Sequence, residues 1–392
     1  MFKVLTLNNI AVEGLRHLPR ERYEVASEIA HPDAILLRSY NMHDMDIPDT
    51  VAAIGRAGAG TNNIPIDAMS SRGVPVFNAP GANANAVKEL AIAGMLIGAR
   101  NLCNARDYVN GLTETGKALS KAVEAGKKQF VGFELPGKTL GVIGLGAIGV
   151  EVANAALDLG MKVVGFDPSI TVRNAWQLSS GVEQEETLDQ LFMHADFVTV
   201  HVPLLDATRG LVNASRIALM KDGGVLINFA RAGVVDDAAA LAALDSGKLH
   251  AFVTDFPTTE LIANPKVVAF PHLGASTGEA EANCAVMVAE NVKDYLENGN
   301  VRFSVNFPKA YLPRLDAWRI TVANANVPNM VGQISTCIAN AGLNIEDLLN
   351  KSVGDFAYTI VDVNAEPSDA LLEEIRAIDG VLNLRNLGKP VT

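Results

Sequence analysis

A glycine pattern near the middle of the chain constrains the fold more than any other feature. Gly144, Gly146 and Gly149 follow an apolar, strand-like run and precede an alanine- and valine-rich run that favours a helix. In such a Gly-x-Gly-x-x-Gly turn, the first glycine allows the tight turn, and the second lets a pyrophosphate approach the backbone. The third glycine lets the helix pack closely on the strand. The N–H groups and dipole at the start of the helix then favour the phosphates. The pattern predicts a parallel α/β fold that binds a dinucleotide.

Asp167 is the residue expected to select the dinucleotide. It comes directly after the next strand-like run, 162–166, and follows the glycine pattern by about 20 residues. A carboxylate at this place accepts a hydrogen bond from a ribose 2′-OH and repels a 2′-phosphate, which favours NAD over NADP. Arg173, in the following loop, is the residue that could bind a 2′-phosphate instead.

Strand-like and helix-like runs alternate over most of the chain, as they do in parallel α/β proteins. A first group precedes an alanine-rich, helix-like stretch at 84–104, and a second group contains the glycine pattern. We predict two doubly wound parallel-sheet domains, Rossmann-like or flavodoxin-like. The predicted strands are 3–7, 34–37, 75–77, 139–143, 162–166, 197–201, 225–229, 251–255 and 267–270.

The last part of the chain has a different order of elements. A helix-like stretch at about 277–297 is followed by Asn298-Gly299-Asn300, Pro308 and Pro313, which indicate a linker. From residue 318 onward the pattern is strand, helix, strand, strand, helix, strand. This βαββαβ order is typical of ferredoxin-like modules. We therefore predict a third, C-terminal domain.

Three residues with complementary chemistry follow strands of the dinucleotide domain. Arg231, Glu260 and His272 each come after a different predicted strand. The carboxyl ends of such strands are where ligands bind, so the three side chains are expected at one edge of the sheet. Arginine can bind a carboxylate and polarise a keto oxygen, histidine can transfer a proton, and a carboxylate beside the histidine favours the imidazolium. Together they predict hydride transfer involving a 2-hydroxy acid.

Composition and charge argue against several other classes of protein. The net charge of −12 argues against a nucleic-acid-binding protein, which needs clustered lysine and arginine. No apolar run is long enough for a transmembrane helix, and the N-terminal residues do not resemble a signal peptide. Cys103, Cys284 and Cys337 are far apart, so neither a disulfide framework nor a zinc site is predicted. We expect a cytoplasmic protein that acts on a small molecule without a metal.

Several segments resemble the D-2-hydroxyacid dehydrogenases, and the resemblance covers nearly the whole chain. It is strongest to the members that oxidise 3-phospho-D-glycerate to 3-phosphooxypyruvate, the first step of L-serine biosynthesis. It implies an NAD-binding domain at 83–279 and a discontinuous substrate-binding domain at 1–82 and 280–310, with the active site in the cleft between them. The matching segments are 56–64, 76–81, 132–141, 144–149, 201–204, 228–236 and 271–277.

The resemblance also implies a role for individual residues. Arg231 would bind the substrate, Glu260 would orient and charge His272, and His272 would be the acid/base catalyst. The NAD-binding residues would be Gly144, Gly146, Ala147, Ile148, Gly149, Asp167, Pro203, Thr208, Phe229, Asp255 and Gly274. The substrate-binding residues would be Arg38, Ser39, Ala59, Gly60 and Asn78, with Arg38 on the phosphate and the backbone of Ala59 and Gly60 on the carboxylate.

The sequence departs from the family pattern at two places. Ala232 stands where the family usually has a glycine after the substrate-binding arginine. The polar stretch 110–129 replaces a shorter, Trp-containing segment, so no phosphate-binding lysine is assigned there.

The tail, 317–392, resembles an ACT domain, a small amino-acid-sensing module. Asn326 and Asn344 match effector ligands of the serine-binding versions, whereas Asn324 stands where histidine is common and Asn329 where glycine usually follows proline. Binding of L-serine at these positions and edge-to-edge dimerisation are both compatible with this pattern. A homodimer or homotetramer is expected.

Two alternative functions are compatible with the same motifs. One is another D-2-hydroxyacid dehydrogenase, acting on hydroxypyruvate, glyoxylate or D-lactate. The other is a non-catalytic NAD sensor or corepressor, because a fold does not dictate a function. The presence of Arg231, Glu260 and His272 argues against the sensor, which needs no acid/base group.

Overall fold

The computed structural model describes residues 1–390 and divides the chain into two compact units. The first unit contains Met1–Ala82 and the chain from Gly278 onward, and the second contains Asn83–Thr277. The first unit begins with a parallel sheet of order β2-β1-β3-β4-β5. Its elements are β1 (Phe2–Leu7), α1 (Val12–Leu15), β2 (Tyr23–Ala26), β3 (Ala34–Leu37), β4 (Ala53–Arg56), α2 (Ile66–Ser71) and β5 (Val76–Phe77).

Both faces of this sheet are covered, as the continuous apolar sequence of β3 requires. Ala34 and Leu36 pack in one apolar core, and Ile35 and Leu37 pack in another. The central strands therefore hold the residues that follow them, including Arg38, on a rigid frame.

The second unit contains a seven-stranded parallel sheet of order β12-β11-β10-β9-β6-β7-β8. The strand order reverses direction between β6 and β9, which is the switch point where doubly wound sheets bind ligands. Its strands are β6 (Thr139–Ile143), β7 (Lys162–Phe166), β8 (Val182–Gln184), β9 (Phe197–Val200), β10 (Gly224–Asn228), β11 (Leu249–Thr254) and β12 (Val267–Ala269). Its helices are α3 (Ala84–Arg100), α4 (Leu102–Asn110), α5 (Gly116–Gly126), a 3₁₀ turn (Lys127–Phe130), α6 (Ala147–Asp158), α7 (Val172–Gln177), α8 (Leu188–His194), α9 (Ala214–Leu219), α10 (Asp237–Asp245) and α11 (Thr259–Ile262).

A long helix, α12 (Gly278–Asn298), returns the chain to the first unit. Two glycines let it approach closely, because a β-carbon at Gly55 would lie 2.7 Å from Val288 and one at Gly14 would lie 2.5 Å from the Ala285 backbone. A larger residue at position 55 would push α12 off the sheet, and one at position 14 would push it away from α1.

The tail forms a four-stranded antiparallel sheet of order β14-β15-β13-β16. Its elements are β13 (Trp318–Ala325), α13 (Met330–Asn340), β14 (Ile345–Val353), β15 (Phe356–Val363), α14 (Asp369–Arg376) and β16 (Val381–Gly388). The buried Arg319 donates to both oxygens of Asp362 at 2.6 Å and to the carbonyls of Asn298, Leu312 and Pro313. Arg319 therefore ties the tail to the linker and to the end of α12.

The predicted fold class is confirmed: two doubly wound parallel sheets are followed by a βαββαβ module. Residues 110–129, which are too polar for a core, form α5 and its flanks, and Gly126 is the one buried residue of α5. No helix in residues 1–390 combines the length and the apolar character needed to cross a membrane.

Candidate active site

The glycine turn of the second unit has the geometry that its sequence predicts. Gly144 has φ +89°, and a β-carbon there would lie 2.7 Å from Val202. A β-carbon at Gly149 would lie 1.9 Å from the Gly144 carbonyl oxygen, so only glycine lets α6 start this close to β6. A β-carbon at Gly146 would meet nothing within 4 Å. The space over Gly146 is therefore open to a pyrophosphate.

Asp167 faces this turn from the end of β7. Its Oδ2 accepts a hydrogen bond from the Leu145 N–H at 2.8 Å, and its Oδ1 accepts one from the Ser169 N–H at 2.8 Å. Each carboxylate oxygen can accept a further hydrogen bond. The side chain is thus fixed in direction and still able to bind ribose hydroxyls.

Asp255 follows β11 and is almost completely buried. Its Oδ2 accepts hydrogen bonds from the Leu273 and Gly274 N–H groups, at 3.0 and 3.2 Å. Its Oδ1 is buried and accepts no hydrogen bond from another described residue. A buried acceptor without a partner is costly, so this oxygen fits a ligand that brings an N–H group, such as the carboxamide of NAD.

The remaining predicted cofactor residues lie on the same unit, in loops and helix starts after its strands. Ala147 and Ile148 are in the first turn of α6, Phe229 follows β10, and the Thr208 hydroxyl donates to the Pro203 carbonyl at 2.6 Å. Gly274 is buried under the Asp255 carboxylate. Together with the open glycine turn and the unpartnered Asp255 oxygen, these positions fit a dinucleotide.

Arg231 lies in the loop after β10, which the buried Asn228 holds in place. The Asn228 side chain accepts from the Ala230 N–H at 3.1 Å and donates to the Arg231 carbonyl at 3.0 Å. Nη1 of Arg231 donates to the Ala230 carbonyl, and its other donors have no hydrogen-bond partner among residues 1–390. The arginine is therefore positioned and has free donors for a carboxylate.

Ala232 takes the place of the family glycine without strain. The left-handed position of this loop is Gly233, with φ +80°, and Ala232 is not among the described residues with positive φ. The methyl group of Ala232 is also exposed.

His272 lies in the exposed loop after β12 and packs on Phe256, with ring centroids 5.0 Å apart. Its charge lowers the pKa of Asp255, although burial raises that pKa overall. Between Glu260 and His272 the described residues contain neither a hydrogen bond nor an ion pair. Glu260 is exposed on α11 and instead helps to raise the pKa of Asp237, mainly raised by burial. The carboxylate coupled to His272 in this structure is that of Asp255, which sequence reasoning had assigned to the cofactor alone.

The predicted substrate-binding residues lie together in the first unit, at the carboxyl ends of β3, β4 and β5. The Asn78 side chain donates to the Ala59 carbonyl at 2.6 Å, and the Ser39 N–H donates to Asn8 at 3.2 Å. Within the described part of the chain, the N–H groups of Ala59 and Gly60 have no hydrogen-bond acceptor. They are therefore available to a carboxylate.

Arg38 directly follows β3, and its guanidinium forms an ion pair with Glu281 of α12 at 2.6 Å. The Nε of Arg56, at the end of β4, donates to the Arg38 carbonyl at 3.1 Å. Sequence reasoning missed both Arg56 and Glu281. Arg56 is the last residue of β4, a strand that the sequence pattern does not predict, and nothing local signals Glu281.

The three predicted effector residues are all held by contacts inside the tail. Asn324 is buried and donates to the Ala325 carbonyl, Asn326 donates to the Gly354 carbonyl, and the Asn344 N–H donates to Asn364. The Asn324 Oδ1 is buried without a partner in the described residues. In the part of the chain that the structure describes, no cluster of three His, Cys, Asp or Glu side chains could hold a metal ion.

Comparison with known proteins identifies the family. Residues 92–274 match the model of the D-isomer specific 2-hydroxyacid dehydrogenase NAD-binding domain. The chain is 33% identical to D-3-phosphoglycerate dehydrogenase of Haemophilus influenzae, over 86% of this chain and 81% of that protein. The chain belongs to the D-isomer specific 2-hydroxyacid dehydrogenase family. The predictions of family membership and of NAD as the cofactor are thus confirmed.

Other relatives differ in length. D-3-phosphoglycerate dehydrogenase of Methanocaldococcus jannaschii is 35% identical over 83% of this chain, which spans 61% of that relative. D-3-phosphoglycerate dehydrogenase of Archaeoglobus fulgidus is 37% identical over 77% of this chain, which spans 56% of that relative. The chain thus spans about three fifths of the length of these two relatives.

Solved structures confirm the fold of the family. The NAD⁺-bound 3-phosphoglycerate dehydrogenase of Entamoeba histolytica superposes with a TM-score of 0.58 and 26% identity, covering 78% of this chain and 98% of that one. D-Mandelate dehydrogenase of Rhodotorula graminis gives a TM-score of 0.66 and 25% identity, covering 80% of this chain and 99% of that one. Because two enzymes with different named substrates superpose similarly, the fold alone does not select the substrate.

Proposed function

We propose that this chain is an NAD-dependent dehydrogenase that oxidises 3-phospho-D-glycerate to 3-phosphooxypyruvate. The observation that carries the proposal is the similarity to D-3-phosphoglycerate dehydrogenase over 81% of the Haemophilus influenzae protein. The free donors of Arg231 and the exposed imidazole of His272 support it, because they supply carboxylate binding and proton transfer.

The oxidation removes the proton of the hydroxyl group from the C2 oxygen and a hydride from C2. NAD, held at the glycine turn and Asp167, would supply the hydride acceptor. His272 accepts the hydroxyl proton as general base, and the Asp255 carboxylate stabilises the imidazolium that results. Arg231 binds the carboxylate and the C2 oxygen through its free donors, and the Ala59 and Gly60 N–H groups supply further donors.

Arg38 distinguishes this substrate from the smaller 2-hydroxy acids. We assign it to the phosphate because it extends from the rigid end of β3 and because Arg56 lies beside it. Two guanidinium groups at the ends of neighbouring strands favour the binding of a doubly charged group such as a phosphate.

Three further properties belong to this proposal. The tail acts as an ACT-type module, which its βαββαβ topology supports. Its Asn324, Asn326 and Asn344 bind L-serine. The chain forms a homodimer or homotetramer, which the exposed Leu102 and Val109 of α4 support. It works in the cytoplasm, consistent with three cysteines that are all in the free form.

The test is turnover by the purified chain with NADH and 3-phosphooxypyruvate, compared with hydroxypyruvate, glyoxylate and pyruvate. The proposal expects the highest kcat/KM for the phosphorylated substrate. A higher kcat/KM for one of the others would assign the chain to a different member of the family. His272→Ala is expected to lose about 10²–10⁴-fold in kcat while still binding NADH. Absence of turnover in the unmodified chain, with NADH bound, would instead support a sensor.

A further inference from the structure

Arg38, which we assign to the substrate phosphate, already forms an ion pair with Glu281. Arg38 Nη1 lies 2.6 Å from Glu281 Oε1, and the side chains are 34% and 43% exposed. The Nε and Nη2 groups of Arg38 donate no hydrogen bond within residues 1–390. A carboxylate of the protein itself therefore occupies one edge of the guanidinium.

Glu281 belongs to a charge cluster around a buried thiol. Arg38, Arg56 and Glu281 all act on the pKa of Cys284, which burial raises, which the two arginines lower and which Glu281 raises. In the sheet, Arg56 pairs in register with Leu37, so the two arginines lie at the ends of neighbouring strands.

The pair is inexpensive to break. Half-exposed ion pairs contribute little to stability, because solvent screens them and two flexible side chains must be held together. A phosphate carries a charge of about −1.5 to −2 and three acceptor oxygens, so it gains more from Arg38 than a single carboxylate does. Glu281 lies in the first turn of α12, where the helix dipole stabilises a negative charge.

We propose that Glu281 competes with the substrate for Arg38 and is displaced when a phosphate binds. This inference rests on the proposed function, in which Arg38 binds the substrate phosphate. Glu281 thereby acts as a specificity determinant. A ligand group with one negative charge gains nothing by replacing the Glu281 carboxylate, whereas a phosphate dianion does.

The test is Glu281→Gln, with Glu279→Gln as the matched control. Glu279 is exposed in the same first turn of α12, carries the same charge and has no ion-pair partner in the described residues. KM for 3-phosphooxypyruvate and the inhibition constant of inorganic phosphate are measured in both variants, with hydroxypyruvate as the unphosphorylated substrate. Thermal unfolding of each variant is measured alongside.

We expect Glu281→Gln to lower both constants about two- to fivefold, the change that corresponds to the loss of one half-exposed ion pair. Glu279→Gln should change neither, and the decrease should be confined to phosphorylated ligands. Unchanged or higher constants in Glu281→Gln would overturn the inference and make Glu281 a residue that positions Arg38. If the unmodified chain shows no preference for 3-phosphooxypyruvate over hydroxypyruvate, the proposed function fails. The inhibition constant of inorganic phosphate then decides the inference independently.

Discussion

Asp255 and His272 are coupled by charge at the ends of neighbouring strands of the second unit. Asp255 follows β11, His272 follows β12, and the loop that carries His272 donates two N–H groups to the Asp255 carboxylate. The charge of His272 lowers the pKa of Asp255 against the effect of burial. Asp255 is therefore the carboxylate that holds the loop carrying His272.

Asp255→Asn should lower kcat for the oxidation. The imidazolium that forms on His272 loses a neighbouring negative charge, and the Leu273 and Gly274 N–H groups lose part of their acceptor. The measurement is kcat for oxidation at one fixed pH. Glu260→Gln is the matched variant, because the family resemblance gives that carboxylate the same role. A loss of kcat in Glu260→Gln with none in Asp255→Asn would show that Glu260 reaches His272 during turnover.

Asp167→Asn should narrow the preference for NADH over NADPH. The amide oxygen can still accept from the Leu145 N–H, so the glycine turn keeps its shape, while the charge that repels a 2′-phosphate is lost. The measurement is the ratio of kcat/KM for the two cofactors, which we expect to fall about tenfold or more. An unchanged ratio would remove Asp167 from cofactor selection.

The free energy of unfolding should decrease below about pH 6.5 because His201 is buried in its neutral form. Burial lowers the pKa of His201 from 6.5 to about 4, so the unfolded chain binds a proton between these values that the folded chain does not. The contribution of His201 is complete above pH 6.5, decreases as the pH falls and is lost by about pH 4. Between pH 7 and pH 5 this amounts to about 2 kcal/mol.

Urea unfolding at both pH values measures this effect. His201→Gln should lose less stability than the unmodified chain on going to pH 5. His31→Gln is the control, because His31 is exposed. Equal acid sensitivity of the unmodified chain and His201→Gln would show that His201 is protonated in the folded state at pH 5.

Arg319→Lys should destabilise the first unit by about 3–5 kcal/mol, the cost of disrupting a buried ion pair. A lysine cannot reproduce the planar set of donors that reaches Asp362, the last carbonyl of α12 and two linker carbonyls. Arg376→Lys, at a half-exposed pair with Glu373, should cost close to nothing in the same denaturation experiment. Equal costs for the two variants would contradict the role of Arg319 in joining the tail to the linker.

Local patterns in the sequence identified the elements that carry strong apolar runs or special glycines. The strands 139–143 and 162–166 and the glycine turn between them are where the sequence predicts them. The strands β2, β4 and β8 were not predicted. β2 and β8 are short, lie at sheet edges and include polar or charged residues such as Glu24, Glu183 and Gln184. β4 lies inside its sheet, but its sequence, Ala53-Ile54-Gly55-Arg56, contains few residues that favour a strand. Such strands are stabilised by pairing with a neighbour, which a local pattern does not record.

The site residues also divide into those that local sequence identifies and those that depend on distant contacts. Arg38, Arg231 and His272 could be placed after strands from local sequence, and the structure finds each of them there. Glu281 gains its role from Arg38, which is far away in the chain, and Asp255 gains its role from His272, which follows the neighbouring strand. Only the folded arrangement reveals these pairs. The roles of all these residues in binding and catalysis remain predictions.

The ratio of kcat/KM for 3-phosphooxypyruvate to that for hydroxypyruvate, measured in the unmodified chain and in Arg38→Ala, tests the central claim most directly. The account predicts a high ratio in the unmodified chain. In Arg38→Ala the ratio should fall about 30-fold, because a charge-assisted phosphate contact at a partly exposed arginine is worth about 2 kcal/mol, and the smaller substrate never makes it. An equal loss on both substrates, or no loss on either, would contradict the assignment of Arg38 to a substrate phosphate.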